Sequence, residues 1–360
     1  MEHKIVSRIN CGAFRYQAWP TVAKSADGTL FVGCSGHRLG HIDPFGKAIL
    51  YVSRDEGKTW SLPQILQDSW LDDRDVGLLA WGESNLLMCS CNHAPSQYSQ
   101  YDESPRHGAT VRSPLGLGMR ETWNHCSEEE ITRISYTKIS RDNGVTWSDV
   151  RTAPIFAPHG PTRLKDGTLF YIGRNFDMLN RKPADVHCYV SHDDGETWEH
   201  RSQIPYPENT QHIQHTEPHA LPLPNGDLLA AVRLENKEVP GKLQIYTLLS
   251  HNDGYIWEAP VLLDLLGSPP HLFLHSSGAV ILTYSRRTEP MGEYARISLD
   301  GGKTWSHDTL ISPEAPDWDH GYPSTVELAG GDLFTVYYMK CPGDDYNSLH
   351  SVRWNLSDLK

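Results

Sequence analysis

Ionisable side chains gather at the edges of short apolar runs along this chain. One run is followed by Ser35-Gly36-His37-Arg38-Leu39-Gly40-His41-Ile42-Asp43, and another is preceded by Leu71-Asp72-Asp73-Arg74-Asp75-Val76-Gly77. His212, His215, Thr216, Glu217, Pro218 and His219 open a third run, which ends at Val232-Arg233-Leu234-Glu235. Pro270-His271 opens a fourth that ends at Arg286-Arg287, and Asp319-His320-Gly321-Tyr322-Pro323 opens the last. If these runs are strands ringing one axis, their polar ends converge on one pocket. Arg38, Arg74, Arg233 and Arg287 would then offer guanidinium forks, which grip carboxylates at two points, with His219 and His271 beside them. Such a lining suits an acidic, polyhydroxylated ligand. Blander readings stand next to these. Asp43-Pro44 is a turn starter, His37 and His41 suit a solvated loop, and three acids around Arg74 suit a structural ion-pair cluster equally well. A His-rich mouth could also hold a metal, but no H-E-x-x-H spacing and no Cys/His ligand set occurs, so neither metal nor cofactor is expected.

What must position these groups is a repeat. Ser53–Trp60 reads SRDEGKTW, and the pattern S-x-[DN]-x-G-x-x-W returns at Ser140–Trp147, Ser191–Trp198, Ser250–Trp257 and Ser298–Trp305. The residues fit a β-turn: Asp or Asn bonds its own backbone, Gly takes positive φ, and Trp packs back under the turn. The boxes read as structural, with their tryptophans on the rim and largely buried. Each has an upstream turn leading into an apolar strand, as in Asp27-Gly28-Thr29-Leu30-Phe31 or Asn225-Gly226-Asp227-Leu228-Leu229. Six such turns occur, and the step from turn to box is 26 residues from Asp27 to Ser53 and 25 from both Asp166 to Ser191 and Asn225 to Ser250. A period near fifty residues with several short strands per unit predicts an all-β, six-bladed β-propeller, one domain over residues 1–360. The second unit is stretched, which puts an insertion at about 96–130, read as a long loop that acts as a lid or a subunit contact. The early strand from Lys4 should pair near Ser351–Trp354 and close the ring.

Composition narrows the classes. The net charge of −13 argues against a nucleic-acid partner and gives no support for an anionic membrane surface. No apolar run is long enough for a transmembrane helix, and the start lacks a secretory leader. Seven scattered cysteines without C-x-x-C suit a reducing compartment, so a cytoplasmic protein is expected, or a secreted one if a leader has been removed. A homo-oligomer stays open.

The boxes and the six-unit layout resemble the sialidase (neuraminidase) superfamily of Asp-box propellers over nearly the whole chain. His41-Ile42-Asp43 ahead of the first box resembles the segment bearing that family's general acid/base, which implies this role for Asp43. Thr216-Glu217-Pro218 with Arg233 resembles the segment of the family's Glu and second triad arginine. Gly321-Tyr322-Pro323-Ser324-Thr325 resembles the segment of the nucleophilic Tyr. The resemblance implies an exo-glycosidase that releases a terminal sialic acid or related acidic sugar from a glycan. Tyr322 would attack with Glu217 as its base, within hydrogen-bond reach at the pocket floor, and Asp43 would stand opposite on a mobile loop. One departure is plain. The family's first triad arginine precedes a Pro, and here Pro20 follows Trp19 and Ala18, so that arginine is missing at Ala18; Arg38 or Arg74 would have to replace it. Two other classes remain: a propeller glycosidase or polysaccharide lyase of different sugar specificity working through His and Tyr, and a non-catalytic carbohydrate-binding propeller. A panel of sialosides, uronosides and neutral glycosides separates them.

Overall fold

The computed structural model describes residues 1–132, 134–175, 185–236 and 243–359. Six antiparallel four-stranded sheets follow one another along the chain as the blades of a propeller. Blade 1 runs Tyr16–Lys24, Leu30–Arg38, Lys47–Ser53 and Gln64–Gln67, and blades 2 to 5 repeat the order from Asp72–Trp81, Thr162–Arg163, Gln214–Pro222 and His271–Leu274. Blade 6 takes Gly321–Glu327, Leu333–Lys340 and Asn347–Trp354 from the C-terminal end and its outer strand, Glu2–Ser7, from the N-terminal end. Glu2 pairs with Arg353 and Lys4 with Ser351, so the ring closes as the sequence predicts and no blade edge is left open at the seam. First strands of adjacent blades touch one another around the axis, as Tyr16–Lys24 does with both Asp72–Trp81 and Gly321–Glu327.

The boxes are turns, and they also staple blade to blade. In the first, Asp55 accepts hydrogen bonds from Ser53 Oγ (2.8 Å), Thr59 N (2.9 Å) and Thr59 Oγ1 (2.7 Å), and the Thr59 and Ser53 bonds hold its carboxyl at about 2. The box glycines lie against the preceding blade: Gly57 on Phe334, Gly144 on Phe31, Gly195 on Leu87, Gly254 on Phe170 and Gly302 on Leu229. Each of these partners belongs to the strand opened by an upstream turn, so the two repeated motifs of the sequence meet across blade boundaries. Blade 6 has no box, and Ile281 of blade 5 instead shares its core cluster with Trp354, Leu356 and Leu359 from the end of the chain. The box tryptophans lie as expected: Trp257 is buried, and Trp60, Trp147, Trp198 and Trp305 are partly buried, each packed against a blade core.

A Cβ at Gly254 would stand 2.5 Å from the Phe170 ring, with φ at +83°. Gly226 has a similar φ of +98° and nothing within 4 Å. Gly226→Ala should therefore cost only the backbone strain, about 1–3 kcal/mol, and Gly254→Ala clearly more. Urea denaturation of both variants reads the difference, and equal losses would mean that the staple is soft.

The insertion is helical and not an extended loop. Short helices at Ser99–Asp102, Gly108–Val111 and Pro114–Glu121 gather Tyr98, Val111 and Trp123 over Ile42 and Phe45 of the blade 1 loop. At the same end His107 stacks on His41, with ring centroids 5.1 Å apart, and Arg106 lies over the Trp318 ring at 4.5 Å. Among the described residues no helix is long and apolar enough to cross a membrane, and all seven cysteines are free.

Candidate active site

A repeated irregularity in the first strands builds the site. The strand carries a bulge between Ala18 and Thr21 in blade 1, Arg74 and Gly77 in blade 2, Thr216 and His219 in blade 4, and Gly321 and Ser324 in blade 6. Inside each bulge one non-glycine residue takes positive φ: Trp19 (+55°), Asp75 (+50°), Glu217 (+48°) and Tyr322 (+56°). Such backbone costs about 1–3 kcal/mol per residue and collects at functional sites. An extra residue re-aims its side chain out of the pleat, and all four of these side chains line one cavity of about 240 Å³. Blade 3 has Gly160 at the equivalent place, packed against Gly77, and adds no side chain there.

Tyr322 of blade 6 and Glu217 of blade 4 are 105 residues apart and meet: the Tyr322 hydroxyl donates to Glu217 Oε1 at 2.7 Å. Burial, and after it the charge of Glu217, pushes the Tyr322 phenol well above its ordinary value, while Arg233 and Arg287 favour its ionised form. Arg233 donates from Nη1 to Glu217 Oε2 (2.5 Å) and from Nη2 to Glu235 Oε2 (3.0 Å), so it orients the Glu as well as facing the cavity. Arg287 is held from behind. Its Nε and Nη2 donate to the His320 carbonyl at 3.2 and 3.0 Å, and Nη2 also reaches the Tyr338 hydroxyl at 3.3 Å. These acceptors are neutral, and no carboxylate lies within ion-pair distance of Arg287 among the described residues. Arg74 lines the cavity too, its guanidinium 3.9 Å from the Trp19 ring centroid. The three arginines thus reach the cavity together with Arg174, which was not among the expected site residues although it ends its strand at the place Arg38 and Arg286 end theirs.

Four expected site residues lie elsewhere. Asp43 is fully buried. Its two carboxylate oxygens accept the Leu39 and Phe45 backbone N–H groups at 2.5 and 2.6 Å, and Tyr98 donates to its carbonyl, so it ties a loop and does not line the cavity. Arg38 is fully buried as well. It donates to both oxygens of Asp72 and to the Gly40 and His41 carbonyls, a brace behind the wall. His219, which ends the blade 4 bulge, and His271, which opens the blade 5 strand, form a tier beneath the floor with His159. The His219 and His271 rings stack at 4.6 Å, and His159 lies 6.3 Å from Tyr322. Burial pushes His219 to about 4 and the other two well below the ordinary range, so the tier is neutral.

The cavity holds residues that the sequence reading left as bland or unassigned. Trp19, and not Ala18, occupies the position before Pro20 that faces the axis, as Glu217 does before Pro218 and Tyr322 before Pro323. His41 lines the rim, its Nδ1 2.9 Å from Asp319. Burial opposes the charge on Asp319, but His41 outweighs it and the carboxyl sits at about 2. Asp75 is half-buried in the lining, and its Oδ1 makes no hydrogen bond among the described residues. The cluster around it divides: Asp72 and Asp73 brace, since Asp73 bonds Ser69, Asn92 and Tyr136, while Asp75 faces the axis. A signal for this was legible. The triplets Trp19-Pro20-Thr21, Gly160-Pro161-Thr162, Glu217-Pro218-His219 and Tyr322-Pro323-Ser324 share one frame, and Asp75-Val76-Gly77 is its copy without the Pro. Among the described residues no three His, Cys, Asp or Glu side chains cluster as metal ligands.

Comparison with known proteins follows the same lines. The family model described as BNR repeat-like domain matches residues 115–335, and that of the BNR/Asp-box repeat matches residues 51–62. No curated protein sequence matches the chain. A solved structure from Dyadobacter fermentans, described as of unknown function, is similar at 20% identity and TM-score 0.78, covering 98% of both chains. The NanB sialidase of Streptococcus pneumoniae is similar at 15% identity and TM-score 0.71, over 99% of this chain and 71% of that one. The intramolecular trans-sialidase of Ruminococcus gnavus is similar at 14% identity and TM-score 0.64, over 97% and 96% of the two chains. At these identities the likeness is one of fold.

Proposed function

This chain belongs to the BNR repeat-like domain family, and from that footing we propose that it is a sialidase-like glycoside hydrolase acting on a terminal acidic sugar. The observation that carries the reading is the Tyr322–Glu217 hydrogen bond of 2.7 Å in a cavity that also holds four arginines. A phenol is a weak nucleophile at neutral pH and needs a base. Glu217 accepts its proton as the oxygen attacks the anomeric carbon, and Arg233 and Arg287 favour the charge that develops. A neutral phenol also approaches a carboxylated sugar without the repulsion that a carboxylate nucleophile would meet. Two successive displacements, by Tyr322 and then by water, give retention; sialidases are the known Tyr exception to the two-carboxylate scheme. The chain carries a net charge of −13, so an anionic sugar needs the local cationic lining that Arg74, Arg174, Arg233 and Arg287 supply. The fold likeness to the NanB sialidase and the Ruminococcus gnavus trans-sialidase is consistent with this class.

A panel of fluorogenic sialosides, uronosides and neutral glycosides tests it. Turnover should be confined to the carboxylated sugars. Arg287→Lys keeps the charge and loses the fork, so kcat/KM on the preferred sugar should fall roughly 10- to 100-fold, the worth of one charge-assisted hydrogen bond, with Tm unchanged. Comparable turnover of neutral sugars, or a fall in Tm with activity per folded molecule intact, would remove the acidic-sugar reading.

A further inference from the structure

We propose that Asp75, and not Asp43, is the acid that protonates the leaving oxygen and then takes the proton of the attacking water, a role that rests on the glycosidase reading above. The first support is architectural. Asp75 sits in the same kind of bulge, with the same positive φ, as Glu217 and Tyr322. Four blades use this device and each time it aims a side chain at the cavity. Among the described residues the Asp75 Oδ1 is buried with no hydrogen-bond partner. Its neighbour Arg74 donates instead to Asp72 Oδ2 (3.0 Å) and to the His41 carbonyl (2.9 Å). Asp43, by contrast, spends both oxygens on backbone N–H groups away from the cavity.

The second support is electrostatic. Burial pushes the Asp75 carboxyl up to about 6; Arg74 opposes this, and the charge of Glu217 adds to it. The groups that bear on Asp75 come from every side: Arg74 and Asp72 on its own strand, Arg38 from blade 1, Glu217 from blade 4, and Tyr322 and Tyr338 from blade 6, whose phenols feel its charge in turn. An acid near the working pH is what general acid catalysis favours. Two carboxyl groups in one cavity therefore divide the work: Glu217, paired with Arg233, takes the Tyr322 proton, and Asp75 keeps its own until the aglycone leaves.

The protons balance. As the Tyr322 oxygen bonds to the anomeric carbon, its proton passes to Glu217. The bond from that carbon to the aglycone oxygen breaks, and Asp75 delivers its proton to that oxygen, so an alcohol departs. Water then attacks the same carbon and gives a proton to Asp75. The sugar–tyrosine bond breaks, and Glu217 returns its proton to Tyr322.

The test compares Asp75→Asn with the unaltered chain on two glycosides of the same acidic sugar, one with an activated aryl leaving group and one with an alkyl leaving group. Asp75→Asn should slow the alkyl glycoside about 10²–10⁴-fold and the aryl glycoside far less. In the unaltered chain kcat/KM on the alkyl glycoside should fall as pH rises through about 6, where Asp75 loses its proton, and that limb should vanish in the variant. Asp75→Glu keeps a carboxyl and should restore the limb, which separates an acid from a spacer even if the Asn variant folds poorly. Asp43→Asn should leave the leaving-group dependence as it is. Equal losses on both glycosides, or a leaving-group effect that appears with Asp43→Asn instead, would overturn the assignment while leaving the glycosidase reading intact. An unaltered chain that turns over no glycoside on the panel removes both.

Discussion

Replacing Tyr322 with Phe should abolish nearly all turnover, a loss of about 10⁴- to 10⁶-fold in kcat, the scale on which an enzymatic nucleophile is missed. The substitution deletes one oxygen and keeps the ring in its place, with the Tyr338 ring 6.1 Å and the His159 ring 6.3 Å away. Glu217 is not orphaned, because Arg233 still donates to its other oxygen at 2.5 Å. Stability should therefore change little, by about 1 kcal/mol, the ordinary net worth of one hydrogen bond. Two measurements check the expectation: kcat on an activated aryl glycoside of the preferred sugar, and mass spectrometry after treatment with a fluorinated sugar that slows the second step. The unaltered chain should gain one sugar on the peptide containing Tyr322, and the Phe variant none. Near-normal turnover in the variant would mean that water attacks directly, and the retaining scheme would fall.

The largest expected stability effect lies behind the wall. Asp72 is fully buried between Arg38 and Arg74. Its Oδ1 accepts from Arg38, and its Oδ2 accepts from Arg38 at 2.9 Å, Arg74 at 3.0 Å and the Tyr98 hydroxyl at 3.3 Å. Asp72→Ala leaves two guanidinium groups without their buried counter-charge, which should cost about 3–5 kcal/mol. Tyr98, which ties the helical insertion to this cluster, keeps its hydrogen bond to the Asp43 carbonyl. Burial disfavours the Asp72 charge, but the two arginines outweigh it and hold the carboxyl below its ordinary range. A depressed carboxyl contributes stability above its unfolded value, near 4, and loses it as pH falls through the lower folded value. Urea denaturation at pH 7 and again near pH 3 should thus show a gap between the unaltered chain and the variant that narrows in acid. A gap below about 1 kcal/mol at pH 7 would mean that the cluster is worth no more than a surface pair.

How far the chain could be read before its structure differs from element to element. Blade number, the seam and the boxes were legible because they rest on local chemistry. An Asp, a Gly and a Trp at set spacing form the same turn wherever they occur, and the alternation of turns and apolar runs allows few other ways to bury those runs. The meeting of Tyr322 with Glu217 was legible for a related reason. Each stands before a Pro at the start of a first strand, and strands that ring one axis bring such positions together across 105 residues. Arg74, Arg233 and Arg287 reached the cavity on the same logic.

Asp43 against Asp75 was not decided at that level. Both are acids near an apolar run; the frame of Asp75-Val76-Gly77 hints at the axis but lacks the Pro of its siblings, and nothing in the spacing shows which way the Asp43 carboxylate turns. Asp43 turns inward because its loop offers two backbone N–H groups that need acceptors, and the insertion closes over it. Asp75 turns to the axis because its strand is bulged against the next, between Arg74 and Gly77. In a strand, one residue of slippage exchanges the two faces. A bulge is such a slip made locally, and it depends on how a strand pairs with its neighbour more than on the residues inside it. The same slip separates Trp19 from Ala18 at the wall and sends His219 beneath the floor. The amino-acid sequence by itself determined the ring, its closure and the meeting of Tyr322 with Glu217. Which acid lines the cavity was decided only when the strands paired, because register is a property of two strands and not of one.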